Sequence, residues 1–169
     1  MDLIIDASSI INLANAGALS TVATLAGRTI CVSPLVVLEC EPTCAAELLQ
    51  LQHAGLIKFV DPDEISADAF LDLLDRHDLG EGETECLALL QGSAMVFCCD
   101  DGRARNVGIG MVGAERVVGS LRLLKWSVSE GIMSGDEAFS FYETMKAAGG
   151  FLPDIAREWF NVDAPDHVV

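Results

Sequence analysis

The sequence predicts an α/β sandwich built on a parallel sheet, and three observations carry that expectation. Short apolar runs alternate with stretches of helical spacing, the pattern of repeated strand–helix units. The most apolar short run, Ala94–Cys99, reads as a central strand buried on both faces. The chain has 169 residues, of which 51% are hydrophobic and 21% charged. That is a globular profile, and a chain of this length can bury about 70% of its unfolded surface. One domain is expected over 1–162, with a frayed tail over 163–169 and no internal repeat or linker.

The elements follow in order. Leu3-Ile4-Ile5 is a first strand ending at Asp6. Ser8 and Ser9 are helix-cap candidates, and Ile10, Leu13 and Ala14 recur at helical spacing. Thr29–Val32 is a second strand. Ser33-Pro34 gives an N-cap followed by proline at the first helical position, opening a helix over about 35–52. Leu56–Val60 reads as a third strand, and Ser66 opens a helix carrying Phe70, Leu73 and Leu74. Gly80 and Gly82 precede a helix with Cys86, Leu89 and Leu90, which leads into the central strand and Asp100-Asp101. Beyond Gly119 the pattern is helical through Leu121, Leu124 and Val128, and again through Ala138, Phe141, Tyr142 and Met145.

Composition excludes several classes. With 26 Asp plus Glu against 10 Lys plus Arg, the net charge is −16. A general nucleic-acid-coating protein is not expected, since phosphate affinity comes from cations. The start, Met-Asp-Leu-Ile-Ile-Asp, has no basic segment of the secretory kind, and a cytoplasmic location is expected. Ala7–Gly27 is uncharged and long enough to span a membrane, but Ser8, Ser9, Asn12, Asn15, Ser20, Thr21 and Thr24 fit soluble helices better. The six cysteines form no CxxC unit and read as small, reduced, buried residues; Cys40 and Cys44 lack partners for a zinc site.

The acidic residues stand where chemistry in such folds is found, beyond the carboxyl ends of parallel strands. Asp6 follows the first strand, Asp100 and Asp101 follow the central one, Glu39 lies early in the helix after the second strand, and Glu83 and Glu85 open the helix before the central strand. Each has a plain alternative. Asp6 fits an N-cap, Glu39 a solvated helix face, Glu83 and Glu85 a favourable helix N-terminus, and Asp100-Asp101-Gly102 a turn. If the acids met, their repulsion would resist ionisation unless cations were present. Hard oxygen donors favour magnesium or manganese, which activate water and stabilise a leaving oxygen in phosphodiester cleavage.

Four motifs carry a family resemblance. Leu3-Ile-Ile-Asp-Ala-Ser-Ser-Ile-Ile-Asn-Leu13 resembles the opening of PIN-domain nucleases, and Ser33-Pro-Leu-Val-Val-Leu-Glu39 their second acidic motif. Gly82-Glu-Thr-Glu-Cys-Leu-Ala-Leu89 resembles the Gly-Glu-x-Glu-Ala helix of one PIN branch, the VapC-like toxins, and of flap-type nucleases. Phe97-Cys-Cys-Asp-Asp-Gly-Arg-Ala-Arg105 resembles the strand and Asp-Asp pair that carry the last ligands, with Cys99 where Thr or Ser is usual. Met111–Lys125 matches the turn and helix that follow. The likeness spans about 2–150. It implies a three-layer α/β/α fold with a central parallel sheet and a Mg²⁺- or Mn²⁺-dependent endoribonuclease, typically the toxin of a toxin–antitoxin pair. It also implies an RNA substrate, a protein antitoxin and a homodimer. Carried over, the catalytic and metal-holding residues are Asp6, Glu39, Glu85 and Asp101, with Glu83 and Asp100 as further metal ligands.

Five of the ten cations, Arg103, Arg105, Arg116, Arg122 and Lys125, follow directly on Asp100-Asp101. Arg103 and Arg105 are the expected phosphate contacts; ion pairing with the acidic 61–85 segment is the plainer role for this run. Gly108-Ile-Gly-Met-Val-Gly113 matches a dinucleotide fingerprint by letters only, so no nucleotide cofactor is expected. His53, His77 and His167 pair with no nucleophile, and Ser8 and Ser9 read as caps or as donors to the acids. Phe139, Phe141, Tyr142, Trp126 and Trp159 read as packing for the C-terminal helices. Two rival readings remain: a catalytically inactive PIN-like module that binds a protein, and a metal-dependent phosphatase or receiver-like acidic pocket.

Overall fold

The computed structural model describes residues 1–164. Five strands form one sheet: β1 (Asp2–Ile5), β2 (Thr29–Val32), β3 (Ile57–Phe59), β4 (Val96–Cys98) and β5 (Val117–Val118). Their order is β3-β2-β1-β4-β5 and every neighbouring pair is parallel. Leu3 stands between Ile30 and Val96, and Ile4 between Cys31 and Phe97. Parallel strands need crossovers, and helices supply them. The crossover helices are α1 (Ala7–Ala16), α2 (Leu19–Val22), α3 (Pro34–His53), α4 (Ala67–Arg76), α5 (Glu81–Leu90) and α6 (Gly102–Val112), and α7 (Ser120–Ser129) and α8 (Gly135–Ala147) follow the last strand.

The result is the three-layer α/β/α sandwich. Helices α1, α2, α7 and α8 pack on one another, α4, α5 and α6 form a second group with α5 against β1 and β4, and α3 touches both α1 and α5. Leu3, Ile4, Ile5 and Phe97 are almost wholly buried in the sheet. Burying each such side chain stabilises by about 1.5–3 kcal/mol, so the strands beneath the site are its firmest support.

Several expectations shift. Helix α1 begins at Ala7 and is capped by Asp6, not by Ser8 or Ser9, because the Asp6 carboxylate accepts the Ser8 backbone N–H at 3.1 Å. Ser33 holds the N-cap position of α3 without a side-chain capping bond, its hydroxyl lying against the Cys86 thiol instead. Helix α3 is bent at Cys44, two residues after Pro42, whose missing N–H weakens the ladder there. Helix α6 and strand β5 have no counterpart in the sequence reading. The Gly108–Gly113 string falls on the last turns and C-cap of α6, and Gly113 leads only into a single 3-10 turn over 114–116, so it opens no α-helix that would cradle phosphate. Gly108 instead lets α6 close on Phe97, where a Cβ would lie 2.9 Å from the ring.

All six cysteines are buried and free. Phe139, Tyr142, Trp159 and Phe160 stack in one cluster, with ring centroids 5.1–6.5 Å apart, and Arg28 covers Trp126. Among the described residues no helix is long and apolar enough to cross a membrane. Of the tail expected over 163–169, residues 165–169 lie outside the described residues.

Candidate metal centre

The sheet order reverses at β1: β2 and β3 lie on one side of it, β4 and β5 on the other. Such a reversal leaves a crevice beyond the strand ends. The Asp6 backbone N–H donates to Cys98 at 2.9 Å and the Cys99 N–H to Val118 at 3.0 Å, which sets Asp6 and Cys99 side by side at its floor. Asp6 is 1% exposed. Its Oδ2 accepts the Ser8 hydroxyl at 2.6 Å and backbone at 3.1 Å, and the Cys99 thiol at 3.4 Å. Its Oδ1 is buried without any partner. Ligand atoms of Asp6, Glu83 and Cys99 all lie within 4.8 Å of one another.

Glu39 and Glu85 tie two helices together reciprocally. Glu39, on α3, accepts the N–H of Gly82 in the first turn of α5 at 3.0 Å. Glu85, on α5, accepts the N–H of Leu35 in the first turn of α3 at 2.8 Å. Each carboxylate thus satisfies a donor that a helix start leaves over, and favours the positive end of the other helix. Gly82 has to be glycine for this approach, since a Cβ there would meet both Glu39 oxygens at 2.7 Å. Glu85 is therefore buried against α3, while Glu83, two residues earlier, accepts the N–H of Gly80, the N-cap of α5, at 2.9 Å and turns to Asp6.

The adjacent aspartates also part company. Asp101 caps α6, its Oδ1 accepting Arg103 N at 2.7 Å and Ala104 N at 3.0 Å. Asp100 turns away to the start of α7, accepting Ser120 N at 2.8 Å, the Ser120 hydroxyl at 2.6 Å and the Asn12 amide at 2.7 Å. Arg105 donates to the Cys99 carbonyl at 2.9 Å, and exposed Arg103 pairs with Asp78 at 2.9 Å. Arg116 and Lys125 serve the fold: Arg116 holds the Ser93 and Met95 carbonyls, and buried Lys125 lies over Trp159 and donates to Ala164.

Electrostatics match this division. Burial pushes the Asp6 carboxyl above its ordinary value, outweighing the Ser8 and Cys99 hydrogen bonds that pull it down. Partial loss of water raises Glu39, and repulsion from Asp6, Glu81 and Glu85 adds to it. Glu83 is raised first by burial, then by Asp6, Asp101 and Glu39. Burial likewise drives the Cys99 thiol far up, so it stays a protonated donor to Asp6. Three crowded, under-solvated carboxylates and one partnerless buried oxygen fit a hard divalent cation.

A family model described as a PIN domain matches residues 2–158. The chain belongs to the PIN-domain family. No curated protein and no solved structure matches it significantly. PIN domains are in general nucleases, hydrolases of phosphodiester bonds, and such nucleases typically use divalent metals. In this PIN domain the structure draws Asp6, Glu39, Glu83 and Asp101 into one electrostatic neighbourhood. Glu85 also repels Glu39 but gives one oxygen to the start of α3, and Asp100 has both oxygens taken by the start of α7 and by Asn12. Two contributors escaped the sequence reading, Asn12 and Ser120; a polar residue on a mostly apolar helix face was the one signal for Asn12.

Proposed function

We propose that this PIN domain is a magnesium- or manganese-dependent endoribonuclease of the VapC-like branch, acting as the toxin of a toxin–antitoxin pair. One observation carries the catalytic part: the buried Asp6 carboxylate, whose Oδ1 has no partner, stands beside Glu83. Asp6, Glu39, Glu83 and Asp101 would hold the ion, with Glu85 and Asp100 setting the helices that aim them. When bound, the ion supplies activated water and stabilises the leaving oxygen. The chain's residues do the rest. Cys99 and Ser8 hold Asp6 Oδ2 by donating to it, which leaves Oδ1 for the ion. Arg103 reaches a phosphate by giving up its exposed, solvent-screened bond to Asp78. Arg105, fixed on the Cys99 carbonyl, is the second phosphate contact.

The partner part rests on resemblance and on the surface beside the site. A groove of about 380 Å³ lined by Pro34, Leu35, Ile65, Phe70, Leu71 and Glu85 opens next to the acidic 61–85 segment. Apolar lining with an acidic surround suits a basic antitoxin segment. The same groove favours the second reading, an inactive module that works by binding protein. Pooled RNA incubated with the protein, with and without EDTA, decides between them. Cleavage that EDTA abolishes supports the nuclease; no cleavage in either magnesium or manganese leaves the binding module. A small gene beside this one, whose product restores growth when co-expressed, supports the toxin role.

A further inference from the structure

Cys40 and Cys44 stand four residues apart on α3, the spacing that puts two side chains on one helix face. The Cys40 thiol donates to the Cys44 sulfur, and neither residue is in a disulfide. Residues so spaced on a regular helix have Cβ atoms about 5–6 Å apart. A disulfide needs about 3.5–4.5 Å, so a regular helix resists the bridge. Helix α3 is not regular there. Pro42 lies between the two cysteines, and the backbone leaves the helical region at Cys44, with φ −146° and ψ 20°. That break is a joint at which the two sulfurs can close.

The pair is also the one a small oxidant reaches. Cys44 is 7% exposed, whereas the other five cysteines are at 0% or 1%. It lines a surface hollow of about 370 Å³ together with Asn15, Glu41 and Glu47. Donation from Cys40 draws the Cys44 thiol below its ordinary value against the opposing effect of burial. Burial pushes Cys31 up to about 11, and Cys86, Cys98 and Cys99 are raised as well. The thiolate is the form that attacks oxidants, and a second thiol beside it completes a bridge. Glu39 precedes Cys40, and its carboxylate accepts the Gly82 N–H at 3.0 Å. The fit is close enough that a Cβ on Gly82 would meet both Glu39 oxygens at 2.7 Å. Drawing Cys40 towards Cys44 turns this stretch of α3 and takes Glu39 with it.

We propose that Cys40 and Cys44 are a redox pair that a peroxide closes to a disulfide, re-setting the bend in α3 and withdrawing Glu39 from Gly82. The Cys44 thiolate attacks one peroxide oxygen, the O–O bond breaks and hydroxide leaves, giving a sulfenic acid. The Cys40 sulfur then attacks the Cys44 sulfur, the S–O bond breaks, and water leaves with the Cys40 proton. Two thiols are oxidised to one disulfide while the peroxide is reduced to two waters. A bridge that strains its helix is easily reduced, so a thiol reductant reopens it. The bridge does not depend on the nuclease reading; under that reading it also takes Glu39 from the ion. The test treats full-length wild-type protein in EDTA with hydrogen peroxide, maps its peptides by mass spectrometry and follows hydrogen exchange. Expected are a loss of two hydrogens, a Cys40–Cys44 bridge in the map, and free thiols in denaturant falling from six to four. The Gly82 amide should exchange at least about fivefold faster, and dithiothreitol should reverse every change. Cys44→Ser and Cys40→Ser should form no bridge; the wild-type map decides even if a variant fails to fold. Six surviving thiols, oxygen added at Cys44 without a bridge, or a bridge that leaves Gly82 exchange unchanged each overturns the proposal. Cleavage of pooled RNA by the reduced protein tests the nuclease reading separately.

Discussion

Asp6 and Asp100 both follow parallel strands that lie side by side at the centre of the sheet, yet they are built for opposite ends. Asp100 has three donors arranged around its two oxygens: the Asn12 amide and the Ser120 hydroxyl and backbone. Asp6 has one oxygen supplied and one buried with nothing to accept. A satisfied carboxylate is a fastener, whereas an unsatisfied one is a free-energy debt that a cation settles. Glu85 and Glu83, on one helix, each accept a single backbone N–H, from Leu35 and from Gly80, and differ in where they are aimed: one against α3, the other towards Asp6. Position at a strand or helix end brings an acid to the crevice; the donors around it decide what it does there.

The largest effect expected is on turnover. Asp6→Asn keeps the cap on α1, because the amide oxygen still accepts from Ser8, but removes the charge. Cleavage of pooled RNA should fall by a factor on the order of 10³ with the circular-dichroism spectrum unchanged. Next comes Gly82→Ala. The new methyl would meet the end of the Glu39 side chain, which can swing aside, so the melting temperature should move little. Manganese affinity by calorimetry should nevertheless drop about 10–100-fold, since Glu39 leaves its seat.

Stability separates the two aspartates by sign. Asp100→Asn places an amide N–H against a donor whichever way the amide turns, and should cost about 1 kcal/mol in urea unfolding. Asp6→Asn without metal should stabilise, because it removes a buried charge. The smallest effect is the pH slope. Asp6, Glu39 and Glu83 hold their protons to higher pH when folded than when unfolded. The native state therefore carries more protons in that window, and stability falls as pH rises from the ordinary carboxylate range through the raised values. Melting curves in EDTA should show this decline in wild type and a shallower one in Asp6→Asn.

Much of the scaffold was legible in the sequence because burial on both faces leaves continuous apolar runs, as in Leu3–Ile5 and at Val96–Cys98. Val117-Val118 is too short to leave a period, and α6 carries three glycines, Gly102, Gly108 and Gly110, that disfavour a helix locally, so packing against Phe97 and Val117 supports it. The acids themselves were visible as residue types at element ends. Their aim was not. Glu83 and Glu85 are indistinguishable as letters, and only the packing of α3 on α5 sends one to Leu35 and the other to Asp6. Likewise nothing local tells Asp100 from Asp101; Asn12 and Ser120, far away in the chain, do so.

The most direct measurement is calorimetric titration of manganese into wild type, Asp6→Asn, Glu83→Gln and Asp100→Asn. A saturable uptake in wild type, retained by Asp100→Asn and lost from the other two variants, is the result expected. No uptake by wild type at millimolar manganese, or equal uptake by all four proteins, would contradict the assignment of Asp6 and Glu83 to a cation.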